Sequence, residues 1–214
     1  MKTSTLPKVA LVAVLGAFVA GCATQQQTNT AIGAGGGAAV GAGLGALIGN
    51  TRGAAIGAGL GAVAGGLIGY NWSKVKQNVE QSGSKELGID MTEQPDGSLK
   101  VNVPSSVSFD TGSYALKPDL LPVLDSVAKT LNEHPELRVK AVGHTDNTGQ
   151  LSLNETLSRN RAQAVANYLI GKGVAASRVT TEGRGPHDPI ASNDTVEGRA
   201  ANRRTEIYLY AVKG

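Results

Sequence analysis

Asp146 and Arg161 stand 15 residues apart, the first inside the glycine-flanked run Gly143-His144-Thr145-Asp146-Asn147-Thr148-Gly149. A carboxylate accepts hydrogen bonds from an ammonium, and a guanidinium grips a carboxylate through two parallel N–H contacts. The two residues can therefore serve a ligand of mixed charge, or simply each other. An exposed ion pair of this kind contributes at most about 1 kcal/mol and is common on any domain. From spacing alone that ordinary pair is the favoured reading. Asn154 precedes Arg161 by seven residues, so on a helix the two share one face. His144 and Asp146 also invite comparison with an acid/base pair or a metal site. No second ligand pair has useful spacing, since His134 and His187 lie in unrelated contexts, and no activated nucleophile accompanies them. Catalysis and metal binding are ranked low, and no cofactor is called for.

The elements that would position these residues follow from hydrophobic periodicity. Leu87 to Thr92 and Leu99 to Val103 read as strands joined by Pro95-Asp96-Gly97, a hairpin turn. Pro118 suits the first turn of a helix whose Leu121, Leu124, Val127 and Leu131 recur at three and four residues. His134-Pro135 ends it. Leu137 to Val142 reads as a buried strand, Leu153 to Ile170 as a second helix closed by Gly171 and Gly173, and Arg178 to Glu182 as a third strand. A short helical turn near Glu197 to Ala201 and a last strand, Thr205 to Val212, complete an order close to ββαβαββ. Such an order predicts an α/β sandwich, a mixed sheet with helices packed on one face.

Composition divides the chain before any average applies. Of 29 glycines, 15 lie between Ala31 and Tyr70, a stretch whose one charged residue is Arg52. The part from Leu87 onward can bury an ordinary core by itself. The formal charge of +3 falls to +1 if Lys2 and Lys8 leave with a processed leader, and basic and acidic residues interleave. No clustered basic face for nucleic acid results.

Met1 to Lys8 supplies two lysines ahead of a 12-residue apolar run, Val9 to Ala20, the length of a secretion-signal core and short for a membrane span. It meets Val19-Ala20-Gly21-Cys22, which resembles the bacterial lipobox, with the chain's one cysteine as the residue that is acylated and becomes the new N-terminus. Ala23, where aspartate commonly signals inner-membrane retention, is compatible with the outer membrane. Several acyl chains, each methylene contributing about 0.8 kcal/mol, would hold the protein there.

Glycine then recurs at every fourth position from Gly33 to Gly69, ten in register. Interior glycine costs a helix about 1 kcal/mol relative to alanine, so water alone does not favour a helix here. In lipid, or in an oligomer, small residues at this spacing let helices approach closely. The segment resembles the glycine zippers of bacterial surface lipoproteins, and a helical hairpin over 31–70 is weighed against a flexible tether. Tyr70 and Trp72 stand where an interfacial aromatic anchor would sit. The resulting division is 1–21 signal peptide, 22–30 lipidated tether, 31–70 glycine zipper, 71–86 linker and 87–214 folded domain.

The stretch GHTDNTGQLSLNETLSRNRAQAV is similar to the signature of the OmpA-like C-terminal domain, also present in the peptidoglycan-associated lipoprotein Pal. SVSFDTGSYALKP before it and GRGPHDPIASNDTVEGRAANRRTEI after it are similar to the family's flanking blocks, so the resemblance covers nearly all of 87–214. The whole arrangement resembles the YiaD-type lipoproteins. That resemblance implies an OmpA-like βαβαβ sandwich that binds peptidoglycan through meso-diaminopimelate, whose free end carries an ammonium and a carboxylate. Asp146 and Arg161 become the principal ligands, Asn154 a supporting one, Phe109 and Asp110 pocket residues, and Arg203 or Arg204 a further contributor. Its function would be a noncovalent tether of outer membrane to wall, with the domain in the periplasm. An assembly module that uses the zipper for homo-oligomers or envelope partners, and a wall hydrolase, are the rivals.

Overall fold

The computed structural model describes residues 67–212. Cys22, the leader over 1–21, the tether over 22–30 and the glycine register as far as residue 66 lie outside the described residues. In chain order the elements are β1 (Leu67–Ile68), α1 (Ser73–Gln81), β2 (Asp90–Glu93), β3 (Leu99–Pro104), α2 (Ser105–Ser108), α3 (Leu121–Glu133), β4 (Leu137–Gly143), α4 (Leu151–Gly171), β5 (Val179–Gly183), α5 (Val196–Asn202) and β6 (Arg204–Val212). Single 3-10 turns, Pro118–Leu120 and Ala176–Arg178, lead into α3 and β5.

The sheet order is β2-β3-β6-β4-β5, with β1 added to the far end of β6. β6 is the central strand, antiparallel to β3 on one side and to β4 on the other. β4 and β5 are parallel, and α4 is the crossover that a parallel pair requires. Leu99, Val101 and Val103 of β3, Leu137, Val139 and Ala141 of β4, and Ile207, Leu209 and Ala211 of β6 turn one face toward the helices. The alternate residues Tyr208, Tyr210 and Val212 form a smaller cluster with Val142. β6 is thus buried on both faces.

Local sequence explains the elements. At the β2–β3 turn Gly97 takes φ +86°, and the Asp96 carboxylate accepts from the backbone N–H and hydroxyl of Ser98 at 2.9 and 2.7 Å. α3 begins after Pro118 and buries Val123, Leu124, Val127, Ala128 and Leu131. β2 starts at Asp90, later than the expected Leu87, because Gly88 at φ +67° closes a turn in which Ile89 N–H donates to Ser84 O.

The stretch 71–86, expected to be a linker, is instead built into the domain. Trp72 is 2% exposed, its indole N–H donates to Gly97 O at 2.9 Å, and Val75 and Val79 of α1 are buried in the same core. α1 packs on α3. Tyr70 lies 4.6 Å from Trp72, ring centre to centre, and 5.7 Å from His134. The aromatic pair therefore seals the core and is no membrane-interface anchor. Among the described residues no helix is long and apolar enough to cross a membrane.

Candidate ligand-binding site

Where β4 ends, two glycines bring α4 down onto the sheet. A Cβ at Gly143 would sit 2.0 Å from Ser158 O, and one at Gly183, its partner across β4–β5, 2.5 Å from Arg159 N. Only glycine permits this approach, and it sets Asn154 and Arg161 beside the loop that follows β4. That loop is shaped by Asp146, whose Oδ1 accepts from both the backbone N–H and the hydroxyl of Thr148. Asn154 holds it from the helix, donating to Thr148 O at 2.7 Å and Asp146 O at 3.4 Å. On the facing side, Ser105 N–H donates to Arg203 O at the start of β6. Asn202, fully buried, ties the preceding loop through Ile190, Ala191 and Asn193.

These elements enclose a cavity of about 570 Å³ at the pocket end of β6, within the range of small-ligand sites. Asp146, Asn154, Arg161, Phe109, Asp110 and Arg203 all line it. Asp146 does not pair with Arg161. Its Oδ2 accepts from Arg203 Nη1 at 2.6 Å, a contact 57 residues away in sequence. Arg161 is 3% exposed, and its guanidinium donates to Ser113 O at 2.9 Å, Asp110 O at 3.2 Å and Ser105 Oγ at 3.4 Å. Its Cζ lies 5.0 Å from the Phe109 ring centre. Every one of these partners is uncharged.

Burial raises the Asp146 carboxyl, but the hydrogen bonds from Thr148 and Arg203 outweigh it and hold the group below the ordinary aspartate value. Burial lowers the Arg161 guanidinium, repulsion from Arg203 lowers it further, and attraction to Asp146 opposes both. The cavity is therefore a carboxylate and two guanidiniums in a half-closed setting, with one guanidinium lacking an ion-pair partner. A buried guanidinium without an ion-pair partner is costly to a fold, and its place in a cavity beside other charged groups makes this the candidate ligand site.

Comparison with known proteins decides the family. Residues 108–203 match the model of the OmpA family, and residues 1–73 match the YMGG-like Gly-zipper. The chain is 44% identical over 201 residues to the probable lipoprotein YiaD of Escherichia coli (strain K12), covering 89% of this chain and 91% of that one. This chain belongs to the OmpA family. Its OmpA-type part is also 45% identical over 103 residues to the peptidoglycan-binding protein ArfA of Mycobacterium tuberculosis, covering 48% of this chain and 32% of that longer one. The cell wall anchor of the T6SS from Pseudomonas aeruginosa superposes with a TM-score of 0.56 at 29% identity, over 64% of this chain and 96% of that one.

Two residues of the OmpA-family domain depart from the sequence-based assignment. Arg204 is outside the cavity: it is 2% exposed, and its Nε donates to Glu206 Oε1 at 3.0 Å behind the sheet. There Glu206 also accepts from the Tyr208 hydroxyl at 2.7 Å, and His144 Nε2 stands 3.3 Å from Glu206 Oε2. Burial and then Arg204 depress the His144 imidazole against the pull of Glu206, which suits a neutral ring in the interior. Thr145, conversely, was unmarked by spacing. The residue lines the cavity, and its hydroxyl is buried with no hydrogen-bond partner among the described residues. No histidine or cysteine lines the cavity, and among the described residues no three His, Cys, Asp or Glu side chains are grouped to hold a metal.

Proposed function

We propose that the cavity binds, without transforming it, the free zwitterionic end of diaminopimelate in the stem peptide of peptidoglycan. The chain, acylated at Cys22, then ties the outer membrane noncovalently to the wall from its periplasmic side. The observation that carries this reading is the buried Arg161 guanidinium beside Asp146, with no carboxylate of the described residues paired to it. Arg161 receives the ligand carboxylate as a two-pronged contact, and Asp146 Oδ2 receives the ammonium. Thr148 and Asn154 hold the acceptor in place. Phe109 stacks under the guanidinium and keeps water from one of its faces. The names of ArfA as peptidoglycan-binding and of the Pseudomonas protein as a cell wall anchor support the reading. Each contact is reversible, and many copies over the cell surface join the layers by multivalency.

The test is cosedimentation of the full chain, purified in detergent, with peptidoglycan sacculi. The chain should pellet, free meso-diaminopimelate should release it, and Asp146→Asn and Arg161→Met should each abolish pelleting while remaining folded. Undiminished pelleting of both folded variants would overturn the assignment. Release of soluble wall fragments would point to hydrolysis instead. The glycine-zipper match over 1–73 favours a second reading, in which that segment associates with envelope partners and wall binding only localises it. An envelope defect on deleting residues 31–66, with pelleting intact, would support it.

A further inference from the structure

A plain zwitterion calls for one cation and one anion, yet Arg161 and Arg203 both line this cavity while Asp146 is its one buried carboxylate. The other acid in the wall, Asp110, has a side chain 79% exposed and an ion pair of its own, 3.3 Å from Lys117 Nζ. It does not balance the count. Seating an ammonium and a carboxylate leaves the charges of the lining one positive in excess.

We propose, on the reading of the site given above, that Arg203 is a second carboxylate receptor and that the ligand is a stem peptide presenting another carboxylate beside the zwitterion. Asp146 Oδ2, which accepts from Arg203 at 2.6 Å, is also the oxygen available to the ligand ammonium, because Thr148 already donates twice to Oδ1. The ammonium takes over Oδ2, and Arg203 turns to the second carboxylate. The geometry permits this exchange. The Arg203 side chain is 42% exposed against 7% for Asp146, and its backbone stays fixed through Ser105. Arg161, buried and held by three acceptors, cannot make such a turn.

Two stem carboxylates have the required chemistry: the α-carboxylate of the glutamyl residue before the diamino acid, and the carboxyl terminus, which in the tripeptide is the carboxylate on the diamino acid's acylated centre. Calorimetric titration of the full chain in micelles with L-Ala-γ-D-Glu-meso-diaminopimelate, and with its glutamyl amide and its C-terminal amide, distinguishes them. One of the two amides should bind about five- to tenfold more weakly, the effect of one half-exposed charge-assisted contact. Arg203→Gln should weaken the unmodified tripeptide by a similar factor and erase the difference. Equal binding of all three peptides, or a difference that survives Arg203→Gln, would overturn the role of Arg203 while leaving the zwitterion site standing. Absence of binding by any peptide would overturn both.

Discussion

At one end of β6, Arg203, Arg204, Thr205 and Glu206 sit among buried charge; at the other, Leu209 to Val212 sit among apolar side chains and the chain that arrives from the glycine repeat. The nine residues of β6 separate these ends by about 27 Å. At the anchored end polar groups are matched. The Trp72 indole donates to Gly97 O, and the Arg178 guanidinium donates to Leu137 O and His134 O at 2.8 Å each, fastening the end of α3 to the start of β4. At the cavity end Arg161 likewise rests on carbonyls, but deeper, beside a second guanidinium and an unpartnered threonine hydroxyl. Two arginines in similar contacts thus differ: Arg178 closes a corner of the fold, and under the proposed function Arg161 keeps its charge available to a ligand. Trp72, Val75 and Val79 pack into the core at the end near β1, and the cavity end carries a guanidinium buried without an ion-pair partner.

The largest expected effect lies at the anchored end. Trp72→Ala should cost about 3–5 kcal/mol in chemical denaturation, with tripeptide affinity of the folded chain unchanged. Selective loss of binding at undiminished stability would break the separation of the two ends. Next, Arg161→Met should reduce tripeptide affinity about 100-fold in titration, close to 3 kcal/mol, while the melting temperature holds or rises because a buried unpaired charge is removed. A matching fall in stability would make Arg161 another Arg178.

Gly143→Ala sharpens the comparison from between the ends. Its Cβ would press on the backbone of α4, so destabilisation of about 1–3 kcal/mol and weaker binding should appear together. The smallest effect is with pH. A carboxyl whose folded-state value is depressed stabilises the fold above the ordinary aspartate value and loses that contribution as pH falls through the depressed one. Binding through Asp146 should therefore be flat from neutrality to about pH 5 and fail only in stronger acid. Loss of sacculus binding between neutrality and about pH 5 would contradict the role of Asp146.

Much of this architecture was legible in the sequence. Period-two and period-3.6 patterns located β3, β4, β6, α3 and α4 within a few residues. α1 escaped since Trp72, Val75 and Val79 stand in a polar window beside a far louder glycine repeat, and only docking on α3 shows that they are core. Arg204, Glu206 and Tyr208 alternate along β6 as a solvated face would. Mutual hydrogen bonds in the interior make their burial tolerable, and no local pattern announces that. Asp146, Arg161 and Asn154, which line one cavity, were singled out by their motif. The Arg203 partnership was not, because a contact spanning 57 residues depends on β6 lying next to β4.

The most direct test is amide chemical-shift mapping of the full chain in micelles during titration with the diaminopimelate tripeptide. The account predicts shifts confined to the cavity end, at Thr145, Asp146, Asn154, Arg161 and Arg203, with Trp72, Val79 and Leu209 to Val212 unmoved. Shifts centred on the anchored end, or none at Asp146 and Arg161 under saturating peptide, would contradict it.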